Sequence, residues 1–194
     1  MISYQHENYD DYCLAQSSAN KRKRKIVWAT KEEILFLSEF ININCDNPEF
    51  GLCHGVRNGF EVEQFRFNLG IDVIGTDISE SANKFKNVIQ WDFHNMKDEW
   101  TNKFDFIYTN SLDHSYDPEK CIDVWMKCLK KDGFCIIQWT RSHDGNYATP
   151  SDCFKAGLEE YKQIVGIHRL YRILYNSAGL LRAEETYHLV LRNQ

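Results

Sequence analysis

The stretch Phe50-Gly51-Leu52-Cys53-His54-Gly55-Val56-Arg57-Asn58-Gly59, followed by Ile71-Asp72-Val73-Ile74-Gly75-Thr76-Asp77, decides how this chain is read. In the first, a short apolar strand runs into a glycine-containing turn. A helix follows from about Phe60 to Asn68, and Gly70 stands where a C-terminal glycine stops a helix. In the second, a strand ends in a carboxylate, Asp77. Glycines in such a turn let the backbone approach a ligand and expose amide groups at a helix N-terminus. Tight turns also need glycine on steric grounds alone, so the turn acquires meaning only from the later strand ends.

Downstream, Asn87–Asp92 and Phe104–Asn110 repeat the design of an apolar strand with a polar end. Asp117 is then the N-cap of a helix with Pro118 at its first position and Glu119 in the first turn. Ile122, Trp125, Met126 and Leu129 fall at i, i+3, i+4 and i+7, one buried stripe. Lys127, Lys130 and Lys131 suit the negative helix end, Asp132-Gly133 stops it, and Phe134–Trp139 is a buried strand. Repeated strand–helix–strand units predict an α/β fold with a mostly parallel, doubly wound sheet. At the C-terminus, Ser151–Gln163 reads as a helix, and residues 164–175 and 186–192 read as a hairpin whose turn includes Asn176, Ser177 and Gly179.

Upstream, residues 1–20 are polar and lack periodicity. The basic run Lys21–Lys25 reads as a solvated linker or helix face, or alternatively as a contact for an anionic substrate. Thr30-Lys31-Glu32-Glu33 has the form of a capping box, and Ile34, Leu37 and Ile41, with Phe36 and Phe40, give the next helix a wide apolar face. The expected organisation is one domain over 1–194, with 1–45 as a helical cover and 46–192 as the core.

Composition narrows the function classes. With 194 residues, 43% hydrophobic and 14% aromatic, the chain can bury a sizeable core. A formal net charge of -5 and a pI of about 5.8 disfavour a general nucleic-acid binder. No apolar run approaches the roughly 20 residues of a membrane span. The acidic, polar N-terminus Met1–Cys13 has no signal-peptide stretch, so a soluble, cytoplasmic protein is expected. Seven cysteines, an odd number without C-x-x-C spacing, predict free thiols and no structural zinc.

Ligands of open α/β sheets bind outside the carboxyl ends of the strands. Asp77, about 20 residues after the turn, can accept hydrogen bonds from both ribose hydroxyls of a nucleoside, or can cap the Ser79–Asn83 segment. Asp92 can take a hydrogen bond from an adenine amino group, with Ile78 and Phe93 as apolar faces for the ring. The three features in order on successive strands point to a nucleoside cofactor.

On these residues the chain resembles the class I S-adenosylmethionine-dependent methyltransferases over roughly residues 46–192. The resemblance implies a Rossmann-like seven-stranded sheet ordered 3-2-1-4-5-7-6, with strand 7 antiparallel. It places the methionine part of S-adenosylmethionine on the turn Cys53, His54, Gly55, Arg57 and Gly59, the ribose on Asp77 and adenine on Asp92, with Asn110 also on the cofactor side. The family's turn reads acid-x-Gly-x-Gly-x-Gly. Here Cys53 and Arg57 stand at the outer glycine places and Gly55 alone is kept. The G-x-G-x-x-G of dinucleotide binders does not occur.

In that family the loop after strand 4, here Asn110–Asp117, faces the methyl group. Methylating an alcohol needs a general base, for which His114 is the candidate, with Asp113 either orienting it or acting on the substrate directly; the alternative is an Asp-His pair bonded within a tight loop. Tyr116, Trp139, Arg141 and His143 are candidates for lining a substrate pocket, against a structural Trp and solvated charges. Asp113, His114 and His143 could together bind a divalent metal, which spacing does not decide. His94, His168 and His188 read as ordinary surface or core histidines.

The expected function is therefore O-methylation of a hydroxyl, with a sugar or glycan acceptor. The Cys53–Gly59 turn and the Ser111–Pro118 loop are also similar to those of small glycan methyltransferases of large algal viruses. Small-molecule or RNA N-methylation is the alternative; the strand-4 loop has no Asn/Asp-Pro-Pro-Tyr motif for base amino groups. A catalytically silent binding module is the reading from another class. The chain has no obvious separate substrate domain, which leaves room for its being one piece of a larger polypeptide or complex.

Overall fold

The computed structural model describes residues 2–145, 147–166, 170–175 and 185–194. Seven strands, β1 (Phe50–His54), β2 (Asp72–Asp77), β3 (Val88–Gln90), β4 (Phe104–Thr109), β5 (Leu129–Thr140), β6 (Leu170–Tyr175) and β7 (Thr186–Arg192), form one sheet in the order 3-2-1-4-5-7-6. Strands β1 to β5 are parallel neighbours, and β7 runs antiparallel to both β5 and β6. This is the expected Rossmann-like arrangement. The order reverses beside β1, so the carboxyl ends of β1, β2 and β4 open onto a common crevice.

Alternation along each strand supplies two cores. Leu52, Ile107, Cys135, Ile137, Leu189 and Leu191 face helices α4 (Pro118–Cys128) and α5 (Leu158–Gly166). Cys53, Phe106, Tyr108, Phe134, Ile136 and Val190 face α2 (Lys31–Asn44) and α3 (Phe60–Leu69). In α4 the predicted stripe is buried, and Trp125 Nε1 donates to the Phe93 carbonyl at 2.9 Å. The helix ends at Cys128 rather than Asp132; Leu129–Gly133 already belongs to β5, which pairs with β4 from Phe104 onward. All seven cysteines are free thiols. Among the described residues no helix is long and apolar enough to cross a membrane.

Three local expectations are corrected. Residues 1–20 are not irregular: Tyr9–Arg22 is a helix, α1, with Asn8 as its N-cap, Asp10 and Asp11 in its first turn and Lys21 and Arg22 in its last. Its buried face is Tyr12, Gln16 and Ala19, which carries too little apolar area to register as hydrophobic periodicity. Residues 164–166 end α5 instead of starting a strand, and Ser151–Gly157 precedes that helix without joining it. Phe154–Lys155 instead pairs antiparallel with Ile2–Ser3. The predicted turn at Asn176, Ser177 and Gly179, and His168, lie outside the described residues.

The capping box at Thr30 is half formed. Thr30 Oγ1 accepts from the Glu33 amide at 3.1 Å, but the Glu33 carboxylate turns inward. It accepts from Gln138 Nε2 and, at 2.8 Å, from His188 Nε2, while Trp28 Nε1 donates to Gln138 at 2.9 Å. This buried network pins α2 to β5 and β7.

Helix α3 comes close to β2 because Gly75 has no side chain. A Cβ at that position would lie 2.6 Å from a Val56 methyl and 2.7 Å from one of Val62. Gly75→Ala is therefore expected to cost about 1–3 kcal/mol by overpacking, read from urea unfolding midpoints. An unchanged midpoint would show that the strand–helix approach has slack.

Candidate functional site

At the end of β2 the Asp77 carboxylate is buried and collects four hydrogen bonds. The Ser79 amide donates to Oδ1 at 2.8 Å and the Arg57 amide to Oδ2 at 3.0 Å. Asn20 Nδ2, from α1, reaches both oxygens at 2.8 and 3.0 Å. Burial raises this carboxyl's pKa, against the lowering by these donors. Arg57, at an outer glycine place of the resembled motif, holds a left-handed backbone (φ 48°), a conformation that costs a non-glycine residue on the order of 1 kcal/mol. Its amide bond to Asp77 and side-chain bonds to the Ile26 carbonyl and Asn20 hold it there. Gly55 (φ 72°) is required twice over, since a Cβ would also lie 2.5 Å from Ser111 Oγ.

Beyond β3, Asp92 Oδ1 accepts from the His94 amide at 2.9 Å and lies 2.6 Å from His94 Nδ1, while Oδ2 accepts from Tyr9 OH of α1 at 2.8 Å. Burial works to raise the Asp92 pKa, but His94 and Tyr9 outweigh it and hold it low. Helix α1 thus lies across the crevice, and its Tyr9, Tyr12, Gln16 and Asn20 bond Asp92, the His114 carbonyl, the Ser151 carbonyl and Asp77. The cavity enclosed beneath it, lined by Gly55, Asp77, Ile78, Asp92, Phe93 and Ser111 among others, is about 20 Å³. That is room for about one water, far less than a nucleoside occupies. On the outer side Ile78 and Asp92 also border a groove of about 770 Å³ with Tyr9, Lys21 and Trp91.

A second cavity, of about 360 Å³, shares Arg57, Ser111 and His114 with the first. Asn110, Asp113, His143, Asp152, Lys155 and Trp28 are among its other walls. His114 Nδ1 lies 2.5 Å from the Ser151 carbonyl, which can only accept, so Nδ1 carries a proton and, in the neutral ring, Nε2 keeps its lone pair. Nε2 is 3.9 Å from Asp113 Oδ1, a buried oxygen without a hydrogen-bond partner. His143 Nε2 lies 4.0 Å from Asp113 Oδ2. Burial favours raising the Asp113 pKa, but the neighbouring His114, His143 and Lys155 bring it below the usual range. Burial lowers that of His143. Donor atoms of Asp113, His114 and Asp152 all lie within 4.8 Å of one another, a grouping able to hold a metal ion.

The structure brings together Gly55, Arg57, Asp77, Ile78, Asp92, Phe93, Asn110, Asp113, His114 and His143 around the two cavities. The others sit elsewhere. Cys53 is in the α2/α3 core. His54 is buried, bonded to Thr76 Oγ1 at 2.7 Å and stacked on Trp125, and burial lowers its pKa to about 3. Gly59 starts α3 with φ 77°, where a Cβ would meet Val88. Tyr116 stacks on His94 at 3.8 Å; Trp139 is buried with Nε1 donating to the Ala156 carbonyl at 3.0 Å; Arg141 is exposed and pairs with Glu185.

The sequence does not single out Tyr9, Asn20, Glu61, Ser115 or Asp152, and it reads His94 as an ordinary histidine, whereas the ring bonds Asp92 and Ser115. The Asn8 cap with acids and bases at opposite ends was a legible signal for α1 itself. Nothing local marks Asp152 or Glu61. Glu61, in the first turn of α3, is buried, with Oε1 accepting from Asn110 Nδ2 at 3.1 Å and Oε2 unpartnered.

A family profile described as a methyltransferase domain matches residues 52–137. No curated protein matches the chain. Among solved structures, the chain is similar to the Burkholderia thailandensis 1,6-didemethyltoxoflavin-N1-methyltransferase bound to 1,6-didemethyltoxoflavin and S-adenosylhomocysteine. Identity is 14%, coverage 100% of this chain and 93% of that one, and the TM-score 0.73. The N-methyltransferase NodS of Bradyrhizobium japonicum, with S-adenosylhomocysteine, gives 13% identity, 92% and 98% coverage and a TM-score of 0.66. A putative sarcosine dimethylglycine methyltransferase of Galdieria sulphuraria gives 14%, 84% and 85%, and 0.66. At these identities the likeness establishes the fold.

Burial raises the Glu61 pKa from 4.5 to about 7, so between those values the folded state holds a proton that the unfolded state has released. Its contribution to stability therefore falls as pH rises through this window. Glu61→Gln is expected to melt with wild type at pH 4.5 and above it at pH 8. Parallel melting at both pH values would mean that the folded carboxyl titrates normally.

Proposed function

We propose that this chain, a member of the class I S-adenosylmethionine-dependent methyltransferases, methylates the nitrogen of a small polar amine. The observation that carries this reading is the placing of Asp113 and Asp152 on either side of His114, on the wall of the 360 Å³ cavity next to the nucleoside crevice. A protonated amine is attracted by two carboxylates but cannot act as a nucleophile until it loses a proton. His114 Nε2, its lone pair left free by the Nδ1 bond to Ser151, takes that proton. Asp113 and Asp152 then hold the remaining N–H groups and offset the charge on the imidazolium. Lys23, Arg57 and Lys155 on the other walls suit an acceptor that also carries an anionic group. The Burkholderia and Bradyrhizobium enzymes, both N-methyltransferases, favour a nitrogen acceptor.

The residues present fit the cofactor. Asp77 and Asp92 offer acceptors for ribose hydroxyls and the adenine amino group, Ile78 and Phe93 offer apolar faces between them, and Gly55 allows backbone approach. The cofactor supplies an electrophilic methyl group on a sulfonium. With the cofactor bound, Asp77 and Asp92 would exchange their bonds to Asn20 and Tyr9 for bonds to the ligand.

A second reading keeps the hydroxyl acceptor, a sugar or glycan. It is favoured by the unpartnered buried Asp113 Oδ1 beside His114 and Asp152. A divalent cation on these three residues would polarise a hydroxyl, and His114 would be oriented by its Nδ1 bond to a carbonyl, as metal-bound histidines commonly are.

Calorimetry with S-adenosylhomocysteine and a methyl-transfer screen with and without chelator test both. Wild type and His114→Ala should bind, while Asp77→Ala should bind at least about 10-fold more weakly. Amines should be methylated in the presence of chelator, and His114→Ala should abolish that. Turnover of hydroxyl acceptors alone, lost to chelator and restored by Mn²⁺, would replace the first reading by the second. A wild-type protein that binds no S-adenosylhomocysteine would end both.

A further inference from the structure

A buried chain of hydrogen bonds joins the cofactor side of the crevice to the acceptor loop. The Asp117 amide can only donate, and it lies 3.0 Å from Ser115 Oγ. Ser115 Oγ is in turn 2.8 Å from His94 Nε2. At the other end, the Asp92 carboxylate can only accept, so His94 Nδ1, at 2.6 Å, carries the ring proton. His94 and Ser115 are both fully buried, and the His94 ring is clamped by Tyr116, stacked at 3.8 Å, and by Tyr12, edge-on at 5.7 Å. The imidazole therefore has one orientation and, in its neutral form, one tautomer.

The consequence falls on Asp92. Its Oδ1 is consumed twice, by the ring and the backbone amide of His94. Oδ2 is left as the acceptor on the side of α1, where Tyr9 OH now bonds it. We propose that His94 is a positioning residue that makes Asp92 a reader of the adenine amino group, and that through Ser115 it joins this reader to the loop bearing Asp113 and His114. The proposal rests on the cofactor reading above.

A fixed carboxylate oxygen rewards an amino donor and repels a carbonyl. An unfixed one can rotate away, so its discrimination is weak. The site should thus prefer S-adenosylhomocysteine to its deaminated counterpart, S-inosylhomocysteine, by about 10- to 100-fold.

Dissociation constants for the two ligands are to be measured on wild type, His94→Phe, His94→Asn and Ser115→Ala, each checked for folding by near-UV circular dichroism. His94→Phe keeps a stacking ring but no donor, and its preference should collapse to within about 3-fold. His94→Asn can present an amide donor where Nδ1 stood, and should retain the preference, which a merely structural loss of the ring would not allow. Ser115→Ala leaves the Asp92–His94 bond and should also retain it. A folded His94→Phe protein with wild-type preference, or a wild type that binds both ligands equally, overturns the proposal. Nitrogen-15 shifts of the wild-type ring, with S-adenosylhomocysteine bound, give a readout that needs no variant. Nδ1 protonated with Nε2 accepting is expected, and the opposite tautomer overturns the assignment. A wild type that binds neither ligand refutes the cofactor reading instead.

Discussion

The Asp77 carboxylate is the point on which the site depends. Three separate segments meet at it: the start of the turn after β2 through Ser79, the glycine turn after β1 through Arg57, and α1 through Asn20. Burying a carboxylate is costly unless its lone pairs are satisfied, and here backbone amides from two neighbouring strand ends supply that satisfaction locally. The third partner comes from 57 residues away and is a side chain, which can leave without disturbing the sheet. The same division recurs at Asp92, where His94 is local and buried while Tyr9 is remote and half exposed. Each acid therefore has a set of local partners and one remote partner, and both remote partners belong to α1.

This arrangement needs a rigid base, and the two-faced sheet provides it. The alternation of core residues in β1, β4, β5 and β7 buries both faces, and polar networks hold the cover helices in register. Glu33, Gln138 and His188 fix α2, and His94 with Ser115 fixes the start of α4 through the Asp117 amide. Directional hydrogen bonds in a buried network specify one arrangement where an apolar contact would tolerate several. The strand ends are thus held still while the helix above them is attached by hydrogen bonds at its polar face.

The acceptor side is built differently. Asp113 and His114 sit in a short loop that follows β4, but Asp152 arrives from the segment after β5 and sets the His114 tautomer together with Ser151. The charged groups on this cavity come from segments far apart in sequence. Its charge pattern is therefore a property of the folded chain, whereas Asp77 and Asp92 are placed by the ends of their own strands.

The sheet order is what the family resemblance implies; the amino-acid sequence by itself determined most of the strand and helix pattern from Phe50 to Trp139 and the positions of Asp77, Asp92, Asp113 and His114. These follow from hydrophobic period, helix caps and strand ends, all of them local and each readable within a few residues. Cys53 and His54 were placed in the crevice by analogy with the glycine turn, but alternation on β1 sends both side chains into the two cores. Only the tertiary structure decided that α1 lies across the crevice, that Glu33 turns inward, that His94 bonds Asp92 and that Asp152 approaches His114. The physical reason is that these residues act through polar contacts across long sequence separations. A buried face built from Tyr12, Gln16 and Ala19 has no hydrophobic period, and a histidine that serves by holding a neighbouring carboxylate looks in sequence like any other.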